Sequence, residues 1–162
     1  MLLLLALPLL CGQCKSTNDP DPVPPTPPTP PVVTKTKTEL LIGKNWKLTA
    51  ATINPAYDFF GQQRLINNIY GNMPFCKTAN LYRYEQPDIF TISTTCPTGG
   101  PYTGPFKWTL SNNETTLTWV FSPYSVDEVY TIETLTEDDL VLVQNLVKMG
   151  TSYTTRFTYT KR

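Results

Sequence analysis

No histidine occurs anywhere in the 162 residues. That absence removes the side chain most often used as a general base near neutral pH, and the commonest metal ligand with it. An excess of either charge is missing too, since 13 Lys and Arg balance 13 Asp and Glu. A nucleic-acid partner needs a basic footprint on its phosphates, so none is expected. Long apolar runs are absent as well: the longest, residues 2–10, is broken by Ala6 and Pro8 and spans nine residues, where a membrane-crossing helix needs about 20. Cysteine is scarce, and the two in the β-rich part of the chain, Cys76 and Cys96, lack CxxC spacing. A metal centre or redox pair is therefore not indicated, and no cofactor is expected.

What the chain does have begins at its start. A leucine-rich run of this length fits the apolar centre of a secretory signal, which is removed on maturation. No Lys or Arg precedes the leucines, which leaves open an initiation site upstream of Met1. Where apolar residues give way to Lys15, Ser16 and Thr17, the segment resembles the end of a bacterial lipoprotein signal, with Gly12 ahead of the boundary cysteine. The resemblance implies that Cys14, or alternatively Cys11, carries acyl chains. Several such chains, each contributing about 0.8 kcal/mol per CH₂, make attachment effectively permanent. Residues 20–31 hold 8 of the 16 prolines. A stretch with fixed φ and no N–H donors at those positions reads as polyproline II rather than a packed element. The organisation expected is a signal over 1–14, a Pro/Thr-rich disordered spacer over 15–38 and one domain over 39–162. The address expected is the cell envelope, as an outer-membrane lipoprotein facing the periplasm or the surface, with the membrane as a partner through the lipid anchor.

An exported chain sees an oxidising compartment, so Cys76 and Cys96 are expected to form a disulfide. Beyond Lys44, short runs rich in Thr, Tyr, Val, Phe and Ile alternate with turn residues, the pattern of an antiparallel meander. Eight runs are legible: 46–53, 79–85, 88–94, 106–110, 116–121, 126–135, 140–147 and 153–161. Alternation places Phe106, Trp108 and Leu110 on one face, and likewise Leu117, Trp119 and Phe121. Tyr82 and Tyr84, Phe90 and Ile92, Tyr130 and Ile132, Leu140 and Leu142, and Phe157 and Tyr159 behave the same way. Closing eight such strands into an up-and-down β-barrel removes the edges an open sheet would leave, and a two-sheet sandwich is the competing arrangement. Between the first two runs, Leu65, Ile66, Ile69 and Tyr70 fall at helical spacing and predict a short helix.

Gly43, Lys44, Asn45, Trp46, Lys47 and Leu48 at the start of the first strand resemble the opening of lipocalin-like domains, and residues 156–161 resemble their last strand. The order of features is similar to the lipocalin-like lipoprotein domains of Gram-negative bacteria. It runs from Trp46 through an Asn-Pro-Ala insertion, Met73-Pro74 before Cys76, an aromatic strand and Cys96 to Trp108. Two residues separate Gly43 from Trp46 where the family signature has one. Asp58 to Gln63 stands where relatives carry an acidic glycine-rich loop, which puts in doubt any cation binding assigned to that loop. The resemblance implies an all-β, eight-stranded antiparallel barrel with a cavity for a small hydrophobic ligand, and it implies that Arg156 lies near Trp46.

On this reading the chain is a monomeric, membrane-tethered binding module. Trp46, Tyr82, Tyr84, Phe90, Trp108, Trp119, Tyr130 and Phe157 point into the barrel, and some of them line the ligand cavity. The alternative is a structural or surface-interaction protein with a filled core, in which Phe59 and Phe60 either form a sticky spot or cap the barrel end. Catalysis is not expected. The available carboxylates, Glu85 with Asp88, Asp127 with Glu128, and Glu137 to Asp139, stand beside strand ends where charges are usually solvated.

Overall fold

The computed structural model describes residues 34–94, 96, 104–111, 113–121 and 126–162. The chain divides into two units, Met1–Val33 and Thr34–Arg162. The first, with Cys11, Cys14 and the proline-rich stretch, lies outside the described residues.

In the second unit the alternating runs form strands β1 (Asn45–Tyr57), β3 (Leu81–Glu85), β4 (Ile89–Ser93), β5 (Phe106–Ser111), β6 (Thr116–Val120), β7 (Glu128–Leu135), β8 (Asp139–Lys148) and β9 (Thr151–Lys161), with a further short strand β2 (Ile66–Asn68). Each of the eight long strands pairs antiparallel with its neighbours, and β1 pairs β9 from Trp46↔Lys161 to Asn54↔Thr154. That last ladder closes the sheet, so the structure is the up-and-down barrel and not the sandwich. Inner-face residues meet across the ladders, as at Trp108↔Trp119 and Leu110↔Leu117. Such cross-strand pairs are what fix register in a sheet with one buried face.

The register of β1 slips between Leu48 and Ala50. A bulge at Thr49, whose hydroxyl donates to the Thr158 carbonyl at 3.2 Å, lets both Leu48 and Ala51 face the core despite odd spacing. The β8–β9 hairpin turns on two residues with positive φ, Met149 at 51° and Gly150 at 77°. Asn-Gly is the favoured pair for such a turn because Asn tolerates the left-handed region better than Met does. Met149→Asn is expected to raise stability by about 1 kcal/mol, read as a shift of the urea midpoint at unchanged slope. An unchanged midpoint would mean the turn carries no strain.

One end of the barrel is closed by helix α1 (Lys37–Leu41), which crosses the boundary that the sequence reading sets between 38 and 39. Thr36 caps it, with its side chain accepting from Glu39 N and the Glu39 carboxylate accepting from Thr36 N. The helix is also held from outside. Glu114, in the β5–β6 turn, accepts from Lys37 N at 2.9 Å and from the Thr38 hydroxyl at 2.8 Å. Glu137, in the β7–β8 turn, pairs with both Lys35 and Lys44. Leu41 is thereby buried at the barrel base, where its carbonyl accepts from Trp46 Nε1 at 3.0 Å.

The helix expected at 65–70 is not there. Residues 66–68 are extended as β2 and pair with β1 at Thr52↔Asn68 and Tyr57↔Ile66. A 3₁₀ turn at Tyr70–Asn72 and a short helix α2 (Phe75–Thr78) follow. The reason is tertiary: β3 pairs β1 only as far as Lys47↔Leu81, so the later half of β1 has an open edge that a strand satisfies and a helix does not. Ile66 and Ile69 are buried as the spacing requires, while Leu65 is 72% exposed. A short helix does lie between the first two barrel strands, but it is α2. The disulfide Cys76–Cys96, with Cα atoms 4.8 Å apart, ties α2 to the segment after β4. Phe59 and Phe60, ring centroids 5.3 Å apart, are half-buried and pack against the core rather than forming an exposed patch.

Candidate functional site

Alternation on the strands sends a single set of large side chains inward, and the eight rings and indoles expected inside are all there. They fall into two groups by depth. At the α1 end Trp46, Tyr84 and Phe90 are fully buried, with Leu48, Leu117 and Leu140 around them. Phe90 stacks on Tyr84 at 5.0 Å and on Trp119 at 4.8 Å between centroids. Trp108 meets Tyr84 edge-on at 5.7 Å and donates Nε1 to the Glu85 carbonyl at 3.1 Å. Spacings of 4.5–7 Å are those of packed rings, so this half of the interior is filled.

The cation beside Trp46 is Lys44, whose Nζ lies 5.7 Å from the ring centroid. Arg156 is not near it. The β1–β9 register sets Arg156 opposite Thr52 and Lys161 opposite Trp46, and the Arg156 side chain pairs with Glu133. The resemblance carried Arg156 to the wrong level: in this ladder it is Lys161, five residues further along β9, that stands opposite Trp46.

Toward the other end the inward residues become more exposed. Tyr82 is 9% exposed, Phe106, Trp119 and Tyr130 slightly less, and Ile92, Glu128 and Phe157 are half-buried. On the β1 side Ile53 and Ile69 seal this end, so the less covered part lies over Tyr82, Ile92, Glu128 and Phe157. The rings here are packed on one another too, Trp119 to Tyr130 at 4.8 Å, Tyr82 to Tyr159 at 5.2 Å and Tyr130 to Phe157 at 5.9 Å, so the surface left partly uncovered is that of Ile92, Glu128 and Phe157.

Polar groups are set among these rings. Trp119 Nε1 donates to the Tyr84 hydroxyl at 2.9 Å, and the Tyr130 hydroxyl donates to the Glu128 carboxylate. Burial raises the phenols of Tyr82, Tyr84, Tyr130 and Tyr159 above the usual range, so all four stay neutral under ordinary conditions. Burial also raises Glu128, against the hydrogen bond from Tyr130. The sequence reading placed Glu128 among solvated strand-end charges; it faces inward instead. Its position two residues before Tyr130 and four before Ile132 was the available signal, because that parity is the inner face of β7.

Two carboxylates at the closed end shift the other way. Backbone and side-chain donors of Lys37 and Thr38 lower Glu114, and hydrogen bonds from Lys35 and Lys44 hold Glu137 down at about 2. A lowered carboxylate contributes stability that is complete above its unfolded value near 4.5 and lost as pH falls toward the folded value. Protection of the Leu40 and Ile42 amides, which bond to Thr36 and Thr38 carbonyls, is therefore expected to fall between pH 4.5 and about 2, ahead of the barrel amides. Hydrogen exchange corrected for intrinsic rates reads this, and α1 protection surviving unchanged to pH 2 would contradict it. Glu128 has the opposite sign: raised on folding, it favours the fold below its usual value and costs stability as pH climbs through the raised one.

Outside the barrel an open cleft of about 540 Å³ runs along β1, lined by Thr49, Ala50, Thr52, Asn54, Asn67, Asn68 and Tyr70. It lies where β1 has left β3 at Lys47 and meets β2 only at Thr52. Among the described residues no group of three Asp, Glu, Cys or His is placed to hold a metal ion, and no helix is long and apolar enough to cross a membrane.

A closed eight-stranded meander, capped at one end by a short N-terminal helix over a buried tryptophan, has an aromatic interior that is less covered at the opposite end. The family model described as a lipocalin-like domain matches residues 41–142, from the end of α1 into β8. A search of curated proteins finds no match. With most of the barrel covered by the family match, the chain belongs to the lipocalin-like domain family.

Proposed function

We propose that this protein is a lipid-anchored binding module of the cell envelope that takes one small hydrophobic ligand at the mouth of its barrel and performs no catalysis. The observation that carries the reading is the gradient of burial along the inner face. Trp46, Tyr84 and Phe90 are sealed, while Tyr82, Ile92 and Phe157 stay partly open around one end. The ligand sits on Phe157, Tyr130, Tyr82 and Trp119, with Trp46, Tyr84, Phe90 and Trp108 as the packed floor.

Trp119 at the edge of the site makes binding visible. Titration with fatty acids, retinoids and haem is expected to shift or quench tryptophan emission for at least one of them, and Phe157→Ala to weaken that binding about tenfold, the equivalent of losing one buried ring contact. Emission indifferent to every apolar ligand would sink the reading. The tether is tested separately. Fatty-acid label is expected on the wild-type chain and lost in Cys14→Ser; loss in Cys11→Ser alone moves the anchor to Cys11, and no label on any form removes it.

The cleft along β1 favours a second reading, in which the filled floor extends upward and the protein acts through its surface. In that case apolar ligands leave the emission unchanged, and a photo-crosslinker at Asn67 gives one reproducible adduct that Thr52→Trp abolishes.

A further inference from the structure

The mouth holds a charge the ligand must answer. Glu128 shares the inner face of β7 with Tyr130 and Ile132 and is half-buried. The described residues offer it one partner, the Tyr130 hydroxyl, and no Lys or Arg among them lies within ion-pair distance. Beside it stands Trp119, its ladder partner on β6, whose ring lies 4.8 Å from that of Tyr130 and 5.9 Å from that of Tyr82. Next to Tyr82, the side-chain oxygen of Asn80 is buried without a donor. The positive charge that would balance a half-buried carboxylate is missing from the described residues.

We propose that this cluster is a head-group site for a cationic amphiphile. An ammonium centre is held against the Glu128 carboxylate and the rings of Tyr82 and Trp119, while its apolar tail lies over Phe157 and Ile92. The proposal rests on ligand binding at the barrel mouth and adds the charge of the ligand to it. Three kinds of interaction converge. The carboxylate supplies Coulomb attraction in partly desolvated surroundings. Aromatic faces attract quaternary and primary ammonium groups through their quadrupoles. The free acceptor of Asn80 takes a donor if the head carries N–H or O–H. An anionic head meets the reverse: repulsion from Glu128 and no cation to offset it. A neutral head leaves the carboxylate as it is.

Three amphiphiles with the same dodecyl tail, dodecyltrimethylammonium, dodecanol and dodecanoate, are titrated below their micellar concentrations against the full chain, by tryptophan emission and calorimetry. The ammonium compound is expected to bind about tenfold tighter than the alcohol, the scale of one desolvated cation–π and charge contact, with the carboxylate weakest. Glu128→Gln is expected to bring ammonium and alcohol within about twofold of each other while leaving the alcohol unchanged. Glu85→Gln, an exposed carboxylate at the closed end, is expected to change nothing. Equal affinities in the wild type, or carboxylate binding tightest, overturn the head-group site but leave the binding module standing. No binding by any of the three overturns both. The wild-type ranking decides without the variant should Glu128→Gln fail to fold.

Discussion

Phe90→Ala is expected to remove about 3–5 kcal/mol of stability, the range for truncating a fully buried phenylalanine, and to lower Tm by at least about 10 °C. The ring is 0% exposed and has Tyr84, Trp119, Tyr82, Phe106 and Phe121 as ring neighbours, with centroid distances of 4.8 to 6.4 Å. Those neighbours come from β3, β5 and β6 and the residue after β6, so they are fixed by separate ladders and cannot close over the space left behind. Equilibrium urea unfolding of the variant measures the loss. A cost below about 1 kcal/mol would show that the floor of the barrel collapses easily, and would place the ligand space deeper than Phe157 and Tyr82. The same substitution at Phe157, which is only half-buried, is expected to act on binding more than on stability.

The second large effect belongs to the bridge. Cys76→Ser with Cys96→Ser opens a loop with a sequence separation of 20, for which restriction of the unfolded chain contributes about 3 kcal/mol. The loss is expected to concentrate where the bridge acts. The segment from β2 to α2 is pinned by β1, by the burial of Ile66 and Ile69, and by the disulfide. Removing the last of these leaves three residues of strand and two buried isoleucines to hold the thirteen residues from 66 to 78. Hydrogen exchange is expected to quicken over residues 66–80 while β8 and β9, with their ten-rung ladder, keep their protection. Unfolding midpoints that coincide with and without reductant would contradict the estimate. Because this segment covers the β1 side of the mouth, its loosening also predicts weaker retention of a bound ligand.

Glu128 and the bridge meet in one functional picture. On the binding reading proposed above, a mouth bounded on one side by a pinned cover and on the other by a half-buried carboxylate among rings selects on both tail and head. The closed end, with α1 latched by Glu114 and Glu137, is chemically different. Its carboxylates are already satisfied by lysines and backbone donors, so they hold the cap and have nothing left over for a ligand.

Much of this was legible before any coordinates. Alternation is a local property, so the eight strands, the inward set of aromatic residues and the β5–β6 turn could be read from residue order alone. Two cysteines in an export-type chain were enough to expect Cys76–Cys96. The resemblance carried by Gly43 to Leu48 and the closing strand pointed to the family that the match over residues 41–142 shows. What the tertiary structure decided was every question about partners distant in sequence. Whether β1 meets β9 separates a barrel from a sandwich. The point at which β3 stops pairing with β1 turned an apparent helix at 65–70 into a strand, since an unpaired backbone edge outweighs the weak preference of four apolar residues. The β1–β9 register put Arg156 opposite Thr52, six residues along the strand from Trp46. Parity alone put Glu128 on the inner face, but only the closed sheet, with Tyr130 and Trp119 beside it, makes that face an interior in which the carboxylate is half-buried with no cation among the described residues to pair with it.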